Sequence, residues 1–393
     1  LQPPSPTGIP LVDLSRQHEQ IRDEVAEGWA RVVETGSFTD GPEVKAFEEE
    51  FAAFSGAEHV IGVASGTDAL EIALRAAGVQ PGDGVIVPAN TFAATAEAVV
   101  RMGARVQLCD VDPVTMLIDP TAAEAVVTEH TTAMLPVHLY GQMAPMPELE
   151  GVARRHGLLI IADAAQAQGA SLVGAGIAAG VTAAATSFYP GKNLGAYGDG
   201  GAVITDDADI ARLSRSISHH GVEADRYLHV RPGFTSRLDT IQAVVLRAKL
   251  KRLAEWNQQR RDAAGRYETL LADRVDVRVP LCIGESEEHV WHLYPIRVAN
   301  RDDILERLRA DGIGAGVHYP VPLHLQEAFS ADAPAPGSFL EAERAAASVL
   351  SLPLYPGIAA ADQERVVDSL RRALDEVNGG QVIDLRDHHH ASA

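Results

Sequence analysis

Short apolar runs alternate with stretches of helical spacing between residues 60 and 205. The runs Val60–Val63, Val85–Pro88, Arg105–Cys109, Ala133–Val137, Leu158–Ala162, Ala183–Phe188 and Gly201–Thr205 are mostly β-branched or Leu-rich, the pattern of buried strands. Between them lie segments such as the one from Asp68, where Leu70, Leu74 and Ala77 recur at helical intervals. Strands alternating with helices predict an α/β fold, a largely parallel sheet with helices on its faces. In such sheets ligands bind beyond the carboxyl ends of the strands, so functional residues are expected just after these runs. From Ser236 the pattern changes. Ile241, Val244, Val245, Ala248 and Leu250–Leu253 keep helical spacing through a long segment that continues past Trp256 to Leu270, which predicts a helix linking two domains. A second α/β unit follows, with strands at Val290–Val298 and Gly316–Tyr319 and helices at Asp302–Ala310, Ala342–Leu350 and Asp362–Val377. The expected division is an N-terminal arm at 1–12, a large domain at 13–250, a small domain at 251–377 and a tail at 378–393.

Composition agrees with two packed domains. The chain has 393 residues, 46% of them hydrophobic and 22% charged, enough apolar side chain for cores of that size. Charge narrows the partners. Lys and Arg number 33 against 54 Asp and Glu, a formal net charge of −21. Such a balance argues against a nucleic-acid binder and against docking on an anionic membrane. Any anionic ligand must therefore be held by local features. Cys109 and Cys282 are far apart and lack metal-ligand spacing, as expected of reduced thiols in a cytoplasmic protein. No apolar run reaches the roughly 18 residues of a spanning helix. The Pro-rich start is expected to be a loose arm rather than a signal peptide, and Asp387-His388-His389-His390 a solvated tail.

Four motifs carry candidate chemistry. Ser187 to Gly201 follows a strand run and holds Lys192 among five glycines from position 191 onward. It is not a P-loop, because Asn193 follows the lysine. Lys192 is either a surface lysine beside a turn or a Schiff-base nucleophile with a depressed pKa. Leu159–Asp163 is an apolar strand ending in a carboxylate, followed by Ala164-Ala165-Gln166. Asp163 either caps a helix or needs a buried cationic partner such as a pyridinium N–H. Ser65-Gly66-Thr67 joins a strand to a helix and reads as an ordinary cap or as a phosphate site made of N–H groups and hydroxyls. Phe92, in the loop after another strand, is either a core residue or a ring stacked on a flat cofactor.

Together these motifs spell a phosphate cup, a stacking ring, a pyridine carboxylate and a Schiff-base lysine, the requirements of pyridoxal 5′-phosphate. The sequence resembles the DegT/DnrJ/EryC1/StrS sugar aminotransferases, a branch of the fold-type I pyridoxal-phosphate enzymes, from about Gly8 to Val377. Further matching pieces are Ile9–Leu14, Gly36–Pro42 with Phe47 and Phe51, Pro136–Gly141, Ser236–Asp239 with Gln242-Ala243, and His318–His324. The resemblance implies a large domain with a mostly parallel mixed sheet and a smaller C-terminal α/β domain. It implies that Lys192 carries the Schiff base, Asp163 meets the pyridine nitrogen, Gln166 lies beside the ring hydroxyl and Phe92 covers the ring. Gly66, Thr67 and Ser187 would hold the phosphate. A homodimer with shared active sites is implied as well. In it Thr235, where the family usually has Asn, would approach the partner's phosphate.

The implied reaction moves the amino group of L-glutamate to a keto sugar. The Phe188–Gly195 loop resembles that of enzymes aminating dTDP-linked 3-keto-6-deoxyhexoses on the way to natural-product amino sugars. Phe38, Tyr189, His318 and His324, with Arg226 and Tyr227 of the second chain, would meet the sugar nucleotide. Three alternatives stand beside this. One is amination of a 4-keto sugar nucleotide or a keto-inositol. A family dehydratase is the second, against which Lys192 speaks, because such enzymes carry His there. The third is a non-catalytic pyridoxal-phosphate sensor.

Overall fold

The computed structural model describes residues 8–332 and 334–379. The central sheet takes in β1 (His59–Val63), β2 (Gly84–Pro88), β3 (Arg105–Cys109), β4 (Thr131–Met134) and β5 (Leu159–Asp163). After a small hairpin of β6 (Ser171–Leu172) and β7 (Ala175–Gly176) it gains β8 (Ala183–Ser187) and β9 (Gly201–Thr205). The order across the sheet is β1-β9-β8-β5-β4-β2-β3. Only β9 runs against the rest: it is antiparallel to both β1 and β8, and the remaining pairs are parallel.

Helices cover the sheet. They are α1 (Ser15–Thr35), α2 (Pro42–Ser55), α3 (Gly66–Ala76), α4 (Ala93–Arg101), α5 (Pro120–Ala125), α6 (Met146–His156), α7 (Ala208–Ser218) and the first part of α8 (Thr240–Leu271). Alternate strand residues point to opposite faces, and both faces are dry. Ile160, Ala162, Ala202 and Ile204 enter one core, while Ile161, Val203, Val85 and Val87 enter the other. That is why the strands read as continuous apolar runs.

A third core lies around β10 (Tyr294–Arg297) and β11 (Val349–Leu352), an antiparallel pair packed with α9 (Arg301–Ala310) and α11 (Ala360–Val377). Short α10 (Leu340–Ser348) leads directly into β11. Helix α8 belongs to both lobes. Ala243, Leu246, Leu250 and Leu253 pack in the first, and Ala263, Tyr267 and Leu271 in the second. The expected boundary at 250 and 251 therefore falls inside one helix. Nor is all of the expected arm loose. Ile9 is buried in the second core and pairs with Ile313, its N–H donating to Gly312 O at 2.9 Å. The His388–His390 tail lies outside the described residues.

Two further elements differ from the sequence pattern. Ala342–Leu350 was expected to be one helix, but Val349 and Leu350 already belong to β11, where they pair with Arg297 and Ile296. Gly316–Tyr319 forms no strand and makes only a single bridge, Gly316 to Ser351. No helix among the described residues is long and apolar enough to cross a membrane.

Candidate active site

Five of the sheet's connections meet at one edge. The loops after β1, β2, β4, β5 and β8 leave at that edge, and β9 starts there because it runs the other way. They enclose a cavity of about 320 Å³. Its walls include Gly66 and Thr67 after β1, Phe92 after β2, Asp163 and Gln166 after β5, and Ser187, Tyr189 and Lys192 after β8. Four motifs spread over 130 residues of sequence thus reach a single space, through the parallel connectivity alone.

Helix α3 starts at the cavity wall. The Ser65 hydroxyl caps it by accepting the Asp68 N–H at 3.1 Å. The N–H groups of Gly66 and Thr67, in the first turn, have no intrahelical acceptor and carry the positive end of the helix dipole. Gly66 is required by the close approach of β8, since a Cβ there would stand 2.6 Å from Ser187 Cβ. A Cβ on Gly201 would likewise meet Ser65 O at 2.4 Å. The result is a small cradle of amides and hydroxyls that suits a phosphate group. A Gly66→Ala variant is expected to bind pyridoxal 5′-phosphate at least about tenfold more weakly, because overpacking of about 1–3 kcal/mol would push α3 from β8. Absorbance titration of the apoprotein checks this.

Asp163 ends β5 and is buried. Its Oδ2 accepts from Thr95 Oγ1 at 2.8 Å and its Oδ1 from the Ala165 N–H at 3.1 Å. Burial raises its pKa above the usual carboxylate range, against the pull of those two donors and of the Lys192 charge. Such a carboxylate in a cavity wall fits a ligand that brings a cationic N–H.

Lys192 is lowered to about 8 by burial, with Asp163 opposing. A sizeable share of its amine is therefore free near neutral pH, as a nucleophile requires. Labelling of Lys192 in the apoprotein by an amine-directed reagent should rise with pH around a midpoint near 8, well below the ordinary lysine value of 10.5. Mass mapping across a pH series reads this out.

Gln166 has a fixed orientation. Its Oε1 accepts from the Tyr140 N–H at 2.6 Å and its Nε2 donates to Tyr319 Oη at 3.0 Å. One N–H of its amide is thus left to donate to a ligand oxygen. Phe92 stands 56% exposed at the cavity mouth, its ring 5.6 Å from that of Tyr319.

The remaining expected site residues are distributed differently. Tyr189 lines the cavity. His318 lies behind it, its Nδ1 within 2.9 Å of Ser351 Oγ and its carbonyl accepting from Tyr140 Oη at 2.6 Å. Burial, then the Lys192 charge, lowers its pKa to about 4, so the ring is neutral. His324 is not brought to the cavity. Its buried ring meets Glu343 Oε1 at 2.9 Å and stands edge-on to Phe339. Phe38, Arg226, Tyr227 and Thr235 lie outside the cavity of their own chain. The Thr235 hydroxyl is bonded to His220 Nε2, and the Arg226 guanidinium lies 5.8 Å from the centre of the Tyr227 ring.

Three residues of the site were not singled out from the sequence. Thr95 supports Asp163, Tyr319 reaches the cavity from the second lobe, and Asp199 adds a second carboxylate to the wall. Thr95 follows Phe92 by three positions, Asp199 lies inside Ser187–Gly201 and Tyr319 inside His318–His324, so the signal was their neighbourhood rather than their spacing.

The family model described as the DegT/DnrJ/EryC1/StrS aminotransferase family matches residues 19–371. The chain belongs to this aminotransferase family. It is 43% identical over 370 residues to a dTDP-3-amino-3,4,6-trideoxy-alpha-D-glucose transaminase of Streptomyces venezuelae, covering 94% of this chain and 97% of that one. It is 46% identical over 363 residues to a protein of Geobacillus stearothermophilus called a pleiotropic regulatory protein, covering 92% and 97%. Among solved structures it resembles S. venezuelae DesV in complex with a ketimine intermediate, with a TM-score of 0.90, 43% identity, and coverage of 93% and 98%. This aminotransferase uses pyridoxal 5′-phosphate, and the cradle, the buried carboxylate and the low-pKa lysine fit that group.

Proposed function

We propose that the protein transfers the amino group of L-glutamate to the C3 ketone of a dTDP-linked 3-keto-6-deoxyhexose, making a 3-amino sugar nucleotide for natural-product biosynthesis. The observation that carries this reading is the meeting of Lys192, Asp163 and the start of α3 in one cavity. Likeness to a dTDP-3-amino sugar transaminase supports the substrate. Bound there, pyridoxal 5′-phosphate supplies a carbonyl carbon that takes up the amino group and a protonated ring that accepts electrons.

The chain's own residues do the rest. Gly66 and Thr67 amides, with the Thr67 and Ser187 hydroxyls, hold the phosphate. Asp163, oriented by Thr95, keeps a proton on the ring nitrogen, because a carboxylate in that wall favours a cation beside it. Gln166 donates to the ring oxygen through its free N–H. Phe92 covers the ring face. Lys192 Nζ would hold the cofactor by an imine, its carbonyl oxygen leaving as water, and, once the donor's amine displaced it, would take the proton from the donor's α-carbon and return it to the cofactor's carbonyl carbon. Its pKa of about 8 lets the same nitrogen accept and give up that proton near neutrality.

Electrostatics support a second chain. Among the described residues the cavity wall holds one cation, Lys192, against the carboxylates Asp163 and Asp199, yet every ligand in the proposed reaction is an anion. Tyr227 is 82% exposed and sits beside Arg226. In a homodimer this surface brings positive charge to the partner's cavity, with Thr235 near its phosphate. The cytoplasm, where nucleotide sugars and glutamate are available, is the proposed location.

Two assays test the reading. The protein should aminate the dTDP-3-keto sugar, and turnover of only a 4-keto sugar or a keto-inositol would move the substrate elsewhere in the family. Mixing a Lys192→Ala chain with an Arg226→Ala chain should restore part of the activity, up to about a quarter if chains pair at random; no recovery would contradict the shared site. The regulatory name of the G. stearothermophilus relative favours a sensor as the second reading. That reading requires the cofactor to bind without turnover.

A further inference from the structure

Helix α8 runs behind the loop that carries Lys192, and three of its residues each hold one residue of that loop. Gln242 Oε1 accepts from the Tyr197 N–H at 2.8 Å. Lys249 Nζ donates to Gly195 O at 2.6 Å. Asn257 Oδ1 accepts from Asn193 Nδ2 at 3.0 Å. Residues seven and fifteen positions apart are two and about four helical turns apart, so the three share one face of α8. They meet loop positions 197, 195 and 193 in turn. The loop is thus laid along the helix in reverse and pinned at every second residue.

Lys249 is the middle pin and the least expected one. It is 2% exposed. Its polar contacts among the described residues are the Gly195 carbonyl and the face of the Tyr197 ring, 5.1 Å from Nζ. Among the described residues no carboxylate offsets its burial, which lowers its pKa to about 8. An ammonium buried on these terms is costly, and an apolar side chain of similar length would fill the space without that cost. What the lysine adds is a long donor. It reaches the Gly195 carbonyl in a turn too tight for a side chain, where a Cβ on Gly195 would stand 2.3 Å from Pro190 O. Asn193, the residue next to Lys192, is held just as firmly, its amide also donating to Val290 O at 2.8 Å.

We infer that Lys249 is a positioning residue for the aminotransferase reaction: by fixing the Gly195 carbonyl to α8 it sets the turn that aims Lys192 into the cavity with Asp163. The inference rests on the proposed role of Lys192. Catalysis is sensitive to such placement, since a shift of about 1 Å can cost about 100-fold in rate.

The test compares wild type with Lys249→Met, which keeps the apolar stem and removes the donor. Each protein is loaded with pyridoxal 5′-phosphate, and visible circular dichroism, kcat, KM and Tm are measured. Lys249→Met is expected to lose at least about half of the visible dichroic band and about 10- to 100-fold in kcat, with KM for the sugar nucleotide within about twofold. A fall in Tm with wild-type dichroism and kcat would make the lysine merely structural and overturn the inference. Should that variant not fold, Lys249→Gln, whose amide ends one bond short of the lysine Nζ that meets Gly195 O, is read in the same way. A weakened band and kcat support the inference, and wild-type values overturn it. Failure of the aminotransferase reading is distinguishable, because then the wild type itself shows no turnover, whether or not it carries a visible band.

Discussion

Replacing Lys192 with alanine is expected to abolish the visible absorption band that the wild type gains with pyridoxal 5′-phosphate, and to lower kcat by at least about 10³-fold. Both losses follow from one nitrogen. Among the described residues Nζ is the only side-chain amine in the cavity wall, so no neighbour there can form the covalent link in its place. Burial also lowers the pKa of this nitrogen to about 8, which suits it to carry the proton between donor and acceptor carbons, and the variant loses that carrier. The fold should survive, because alanine removes a buried ammonium that burial already disfavours. Equal Tm with no band and no turnover would separate the chemical role from a structural one. A retained band would refute the assignment of Lys192.

Asp163→Asn is expected to leave the fold intact and cost about 10²- to 10³-fold in kcat, the scale of losing one preorganised electrostatic partner. Asparagine matches the carboxylate in shape and keeps an oxygen for the Thr95 hydroxyl or the Ala165 N–H. What it loses is the negative charge that holds a proton on the ring nitrogen. Stability should move the other way. Burial raises the pKa of Asp163 in the folded protein, so its ionised form opposes folding above the ordinary carboxylate range. The variant apoprotein should therefore melt at or above the wild-type temperature at neutral pH. A kcat near wild type would show that the carboxylate does not act on the reacting group.

The parts of this site that can be read from sequence are those fixed by local order. An apolar run ending in Asp163, another leading to Lys192, and Ser65-Gly66-Thr67 between a strand and a helix all declare their places, because parallel strands share one functional edge. What supports them is not local. Thr95 reaches Asp163 from the first turn of a helix 68 residues away, and Tyr319 comes from the second lobe to hold Gln166. No periodicity announces such a contact.

The apolar pattern also fails where two elements share one run. Ala342–Leu350 reads as a single helix because a short apolar stretch fits either period, and pairing with β10 decides that its end is strand. Helix α1 escaped the strand-and-helix pattern because its buried stripe is thin, with Ile21, Val25, Gly28 and Val32 facing inward among polar residues. The domain boundary was placed inside α8 for a related reason. One continuous helix serves two cores, and its sequence has no break to mark the change.

His324 illustrates the limit for single residues. A histidine in a motif beside the site looks available to a ligand, yet its ring is committed to Glu343 and Phe339. His318, in the same motif, is held neutral behind the cavity.

Exchange of an amino group through Lys192 and a bound pyridoxal 5′-phosphate is read most directly in the visible spectrum of the loaded protein on addition of L-glutamate alone. The band is expected to bleach, with release of about one 2-oxoglutarate per site, and to return when the keto sugar nucleotide is added. A band that persists in glutamate, with no 2-oxoglutarate formed, would contradict it.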